Sequence, residues 1–332
     1  MAARPPRILS GIQPSGTLHL GNYFGAMAQH VALADEGQAY YFIADFHALT
    51  TVQDSGRLRR MVADVALDYL ALGLDPARCT LFRQSDVPEV TELTWILSCV
   101  TPMGLLERAT SYKDKLAHGL SPRAGLFFYP VLMAADILAY RSDLVPVGKD
   151  QVQHLEMARD IAQAFHRAFD CEVFTLPEAR LAERAEVVPG TDGQKMSKSY
   201  GNTIGIFAEG KPLRRAVMSI KTDSRGVEEP KDPESCDVYR LYRLVAPPAQ
   251  AEQMAARLLG GGYGYGDAKQ ALLAAIDERF GPARERRRAL AADPARVEAV
   301  LAEGGRRARA VAAALLAEVR DVCGMAGRPV GA

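Results

Sequence analysis

Gly11-Ile12-Gln13-Pro14-Ser15-Gly16-Thr17-Leu18-His19-Leu20-Gly21-Asn22 links residues 7–11, which read as a short strand, to an amphipathic helix over about residues 20–35. Strand, glycine-rich turn and helix in that order are the opening of an α/β fold. Free backbone N–H groups and the helix dipole make such a helix start an anion site, and Gly21 lets a ligand come close to the backbone. The spacing is neither G-x-x-x-x-G-K-S/T nor G-x-G-x-x-G, which excludes the usual phosphate loops. His19 taken singly reads as a cap or surface histidine.

Outward from this stretch, residues 39–46 form an apolar run fitting a strand buried on both faces. Asp54 or Ser55 can cap a helix running to residue 72. Residues 80–83 read as a strand, 88–100, 102–116 and 125–140 as helices, 144–147 as a strand and 151–169 as a helix. This alternation predicts the α/β class: a Rossmann-like parallel sheet with helices on both faces. No strand pattern follows Asn202. Helical patterns near 212–221, 236–245, 249–259, 267–290 and 294–322 predict an all-helical C-terminal domain.

Gln194-Lys195-Met196-Ser197-Lys198-Ser199-Tyr200-Gly201-Asn202 falls at the break between the two patterns. It carries two lysines three residues apart, small hydroxyl residues and flanking glycines, and reads as a mobile loop. Two ammonium groups on such a loop suit a polyphosphate, although the pattern by itself also describes a solvated basic loop. Ligand sites favour domain junctions and the carboxyl ends of parallel strands.

Hydrophobic residues make up 48% and charged residues 24% of the 332, ordinary for a globular protein of about two domains. The net charge is zero, but from residue 200 on there are 21 Lys/Arg against 17 Asp/Glu, a basic tilt that suits a polyanionic partner. Cys79, Cys99, Cys171, Cys236 and Cys323 are scattered, without metal-ligand spacing, and read as thiols of a reducing cytosol. The apolar run 125–140 is broken by Asp136 and too short to span a bilayer, so a cytoplasmic protein with no membrane partner is expected; no DNA partner is expected either. Residues 260–266 are a hinge candidate. The arginines of 284–288 read as a nucleic-acid contact or, more simply, a solvated helix face.

Taken together, His19-Leu20-Gly21-Asn22 and Lys195-Met196-Ser197-Lys198-Ser199 resemble the two signatures of class I aminoacyl-tRNA synthetases. Residues 10–16, 43–50, 129–138 and 145–151 resemble the bacterial tryptophanyl-tRNA synthetases. The resemblance implies a catalytic domain over 1–190 with a connective helical insertion at about 88–140. A lysine loop at 191–205 and a helical anticodon-binding domain at 206–332 would follow. It implies L-tryptophan, ATP with Mg²⁺ and tRNA(Trp) as partners, a homodimer, and no resident metal.

The resemblance also implies residue roles. Lys195, Lys198 and His19 would be catalytic. Gln13, Pro14, Ser15, Gly21, Asn22, Gly148, Lys149, Asp150 and Val187 would bind ATP, with Lys113 and the loop residues Lys195, Met196, Ser197, Lys198 and Ser199 on its phosphates. Asp136 sits in an apolar helix, where an unpartnered carboxylate costs several kcal/mol. The indole N–H, a donor without acceptor character, would offset that cost, and phenylalanine would leave it unmet. A plain ion pair or cap is the alternative from the residues themselves. Tyr129 and Gln151 would hold the α-amino group, His47 would orient Asp136, and Leu9, Met133, Val145 and Val147 would wall the pocket. A tyrosyl-tRNA synthetase, a nucleotidyltransferase of the same superfamily acting without tRNA, and a non-catalytic binding protein are the competing readings.

Overall fold

The structure, a computed structural model, describes residues 4–14, 16–109, 123–148, 151–181 and 187–325. Five parallel strands, β1 (Arg7–Ile12), β2 (Gln38–Ile43), β3 (Cys79–Arg83), β4 (Leu144–Val147) and β5 (Glu178–Leu181), lie in the order β3-β2-β1-β4-β5. The period of two along the central strands gives them apolar side chains for either face. Tyr41, Ile43 and Leu81 enter one core, and Phe42 and Phe82 the other. Both faces must therefore be covered.

On the first face lie α1 (Leu20–Asn22), a π-helical turn (Tyr23–Met27) and α2 (Ala28–Leu33). After the short α3 (Asp45–Ala48), α4 (Ser55–Ala71) joins them, capped by Asp54, whose side chain accepts the Arg57 N–H. The second face takes α5 (Glu89–Ser98), α6 (Met103–Glu107), α7 (Ala124–Ala139) and α8 (Val152–Phe169). The expected helix at 102–116 is described only through α6. Strand β5 escaped the sequence reading because its edge position leaves most of its side chains exposed, without an apolar run.

The remaining helices are α9 (Gly210–Met218), α10 (Asp237–Val245), α11 (Pro248–Gly260), α12 (Tyr265–Ala291) and α13 (Pro294–Val322). Among the described residues no strand follows β5. Of residues 260–266 only 261–264 form the turn between α11 and α12, and it is packed: Tyr263 is buried and Arg257 stacks 3.8 Å from its ring centre.

All four arginines of 284–288 are paired within the chain, although Arg286 and Arg288 remain exposed. Arg284 is buried against the Ile206 carbonyl, Arg286 donates to the Ala71 carbonyl, Arg287 to Asp64 and Asp68, and Arg288 to Glu209. They bind α12 to α4 and to the segment after the lysine loop.

The last helix returns to the sheet. Ala308, Ala312, Leu315, Leu316 and Val319, at helical spacing, join the second core, where each large side chain contributes about 1.5–3 kcal/mol. Gly304 lies so close to β3 that a side-chain carbon would overlap the Leu81 carbonyl. Ion pairs Arg309–Glu89 and Arg320–Glu92 flank the contact. The edge of the sheet at β3 is thereby covered.

Candidate active site

Strand order reverses at β1, whose neighbours are β2 on one side and β4 on the other. Strands β1 and β4 pair only at Ile8 and Leu144, near their amino ends. A cavity of about 500 Å³ opens beyond, at the carboxyl ends of β1, β2 and β4, where open α/β sheets place ligands. Leu9, Met133, Val145 and Val147 supply apolar walls. His47, Tyr129, Asp136 and Gln151 supply polar groups, and Gln13 and Gly148 stand at the strand ends. Ten of the sequence-derived residues thus meet around one space.

Asp136, on α7, is 1% exposed. Its Oδ2 accepts from His47 Nε2 at 2.9 Å, and Gln84 Nε2 reaches Oδ1 at 2.9 Å and Oδ2 at 2.8 Å. Burial pushes the carboxyl above its ordinary range, while His47 and Gln84 pull it back down. Gln84, from the 3₁₀ turn after β3, was not singled out from the sequence; nothing in Arg83-Gln84-Ser85 marks it.

A further polar pair and a polar triad were also missed. Tyr129 Oη lies 2.5 Å from His154 Nε2 on α8. Beneath β1, His30 joins Ser10 Oγ (2.9 Å) to Tyr69 Oη (2.8 Å), and complete burial lowers its pKa to about 4, so the ring is neutral. An i, i+4 apolar reading of the helix hides such a histidine among core positions.

The two signature stretches meet at the start of α1. His19 pairs with Gly205 in an isolated bridge, Leu20 N–H donates to the Ile204 carbonyl, and Asn22 Oδ1 accepts the His19 N–H at 3.2 Å. A side-chain carbon on Gly21 would come within 3.0 Å of the His19 ring and 3.3 Å of Met196 Cβ, so only glycine fits there without displacing them. Burial and then the Lys198 charge lower the His19 pKa to about 4. Lys198 Nζ lies near Gly16, a few residues along the chain from the cavity-lining Gly11 and Gln13. Burial lowers the Lys198 pKa, and Asp68 opposes the shift.

Asn202 laces the loop internally. Its Oδ1 accepts the Ser197 N–H at 2.7 Å, and its Nδ2 donates to Asp192 and to the Lys195 carbonyl. Lys195 is exposed, Ser197 and Ser199 share a hydrogen bond, and Met196 is buried. Val187 is exposed beside the loop, its carbonyl accepting from Arg240. Pro14 is buried between the cavity and Gly16. Ser15, Lys113, Lys149 and Asp150 lie outside the described residues.

Residues 1–281 match the family model of the class I tRNA synthetases for tryptophan and tyrosine (W and Y). The chain belongs to that family. Within it, this synthetase groups with the bacterial tryptophanyl members. It is 55% identical over 319 residues to the tryptophan–tRNA ligase of Rhodopirellula baltica, covering 96% of this chain and 99% of that protein. To the tryptophan–tRNA ligase of Fusobacterium nucleatum it is 52% identical over 321 residues, covering 97% and 98%. The tryptophanyl-tRNA synthetase of Campylobacter jejuni, solved with ADP and tryptophan, superimposes with a TM-score of 0.91 at 47% identity, covering 96% of this chain and 99% of that one.

Proposed function

We propose that this synthetase activates L-tryptophan with ATP and transfers it to the terminal adenosine of tRNA(Trp). The observation that carries the choice of amino acid is Asp136, a buried carboxylate at a cavity with apolar walls that is ample for an indole. In this reading the indole N–H meets Asp136, and Leu9, Met133, Val145 and Val147 enclose the rings. Tyr129 and Gln151 take the α-amino group, which leaves the carboxylate directed toward Gln13 and Gly148.

The carboxylate then attacks the α-phosphate of ATP in line, and diphosphate leaves. Catalysis is positioning and charge stabilisation. Lys195 and Lys198 meet the developing charge. His19, neutral at working pH, serves as a hydrogen-bonding group and not as a cation. Pro14, Gly21 and Asn22 with the loop backbone from Met196 to Ser199 line the ATP side, and Val187 offers a backbone contact. Ser15, Lys113, Lys149 and Asp150 keep the roles the resemblance implies. In the second step the ribose hydroxyl of tRNA attacks the adenylate carbonyl and AMP leaves. Mg²⁺, a hard cation that prefers oxygen ligands, is proposed to travel with the phosphates of ATP.

The boundaries proposed are the catalytic part at 1–190, the lysine loop at 191–205 and the anticodon-binding helices at 206–332. A homodimer is proposed because α5, α6 and α7, which pack together, leave Trp95, Met103 and Phe128 exposed. A cytoplasmic location agrees with five free cysteines and with no described helix long and apolar enough to cross a membrane. Pyrophosphate exchange measured with tryptophan, tyrosine and no amino acid tests the function. Exchange with tryptophan is expected; exchange with tyrosine alone overturns the reading.

A further inference from the structure

Gln84 is 1% exposed and its amide is used at both ends. Its Oε1 accepts the backbone N–H groups of Phe46 (3.1 Å) and His47 (3.4 Å). A backbone N–H can only donate, so the atom facing that pair must be the carbonyl oxygen. The NH₂ is then forced to the opposite side, astride the Asp136 carboxylate. No rotation of this amide reverses its polarity without leaving two N–H groups facing a donor.

We propose that Gln84 is a positioning residue for amino-acid selection: it holds Asp136 as a hydrogen-bond acceptor, so the cavity takes a ring bearing an N–H donor and rejects the same ring without one. The inference rests on reading this cavity as the indole pocket. Asp136 needs such help because a protonated carboxyl would present an O–H donor, the wrong polarity for an indole. The groups around it are divided. Burial favours the protonated form, and so does the charge of Asp45 on α3. Tyr140, one turn on from Asp136 at the end of α7, also feels its charge, as it does that of Glu89 of α5. His47 favours the ionised form, but an imidazole can exchange donor for acceptor between tautomers. Gln84 has no such freedom.

Asp45 is itself turned away from the cavity by the same turn. Its Oδ1 accepts the Phe46 and Ser85 N–H groups and its Oδ2 the Ser85 hydroxyl. The segments that follow β2 and β3 are therefore locked to each other, and the lock presents Gln84 and His47 to Asp136 as two donors.

The test compares tryptophan with 3-benzothienylalanine, in which sulfur replaces the indole N–H, by kcat/KM in pyrophosphate exchange from pH 6 to 9. Gln84→Met removes the donor at similar length. Gln84→Glu keeps an oxygen for the Phe46 and His47 N–H groups and donates to Asp136 only while the buried carboxyl pair retains a proton. Gln84→Met is expected to lower the preference for tryptophan roughly tenfold or more, through KM for tryptophan and not KM for ATP. Gln84→Glu should approach the wild-type preference at pH 6 and lose it as pH rises. An unchanged preference in Gln84→Met, or equal losses for both amino acids with no pH trend in Gln84→Glu, overturns the proposal. Absence of tryptophan-dependent exchange in the wild-type protein would instead overturn the functional reading beneath it.

Discussion

Arg287 on α12 donates through Nε to Oδ1 of Asp68 on α4 at 2.5 Å, across 219 residues of sequence. A second nitrogen of the same guanidinium reaches Asp64, and its Cζ lies 5.1 Å from the centre of the Phe207 ring. Asp68 is almost wholly buried, and burial raises its pKa to about 6 against the opposing pull of Arg287 and Lys198. One carboxylate therefore interacts with a cation of the helical part and with a cation of the lysine loop.

Arg287→Ala would leave Asp68 buried without its hydrogen-bonding cation. Breaking one side of such a pair costs about 3–5 kcal/mol, and the 27% exposure of the Arg287 side chain places this case toward the lower end. Urea unfolding should show the loss. The KM for ATP should change as well, since Lys198 then becomes the principal counter-ion of Asp68; an unaltered midpoint and KM would refute the coupling.

Lys195 is exposed and its backbone carbonyl is held by Asn202, so its removal should leave the loop laced. Lys195→Ala should lower tryptophan-dependent pyrophosphate exchange roughly a hundredfold, as for a charge contact made in the transition state. Tryptophan binding, measured by equilibrium dialysis, should stay the same. Full exchange in this variant would remove Lys195 from the mechanism.

His30 contributes a pH dependence of known sign. Its folded pKa, about 4, lies below the unfolded value of 6.5, so between these limits the unfolded chain binds more protons. The stability it contributes is present above pH 6.5 and is lost as pH falls toward 4, by about 3 kcal/mol in all. His30→Gln, which keeps polar atoms near Ser10 and Tyr69, should flatten the pH 4.5–6.5 portion of the unfolding free energy. A slope equal to the wild type would assign that dependence elsewhere.

Gly304→Ala should destabilise, although alanine is the better helix former by about 1 kcal/mol. The obstructing atom is the Leu81 backbone carbonyl, which cannot rotate away, so α13 must lift from β3 at about 1–3 kcal/mol. Thermal unfolding would detect this, while KM for tryptophan should be little changed. Increased stability would show that the helix tolerates a wider spacing.

The sequence by itself determined the parallel sheet, because β1, β2, β3 and β4 are apolar runs readable within a few residues, and the helical remainder, because its period is equally local. It also named ten residues that the fold brings around one cavity, since short contiguous motifs carry their resemblance without a fold. Tertiary structure alone decided what depends on distant groups meeting. Gln84 and Asp136 are 52 residues apart, and His47 and Asp136 are 89 apart. A glutamine does not announce a buried partner, nor does an arginine run show whether solvent, nucleic acid or its own chain will neutralise it. The return of α13 to β3 and the exposed edge strand β5 were hidden for the same reason. Hydrophobic period reports which face of an element is covered, and only packing specifies what covers it.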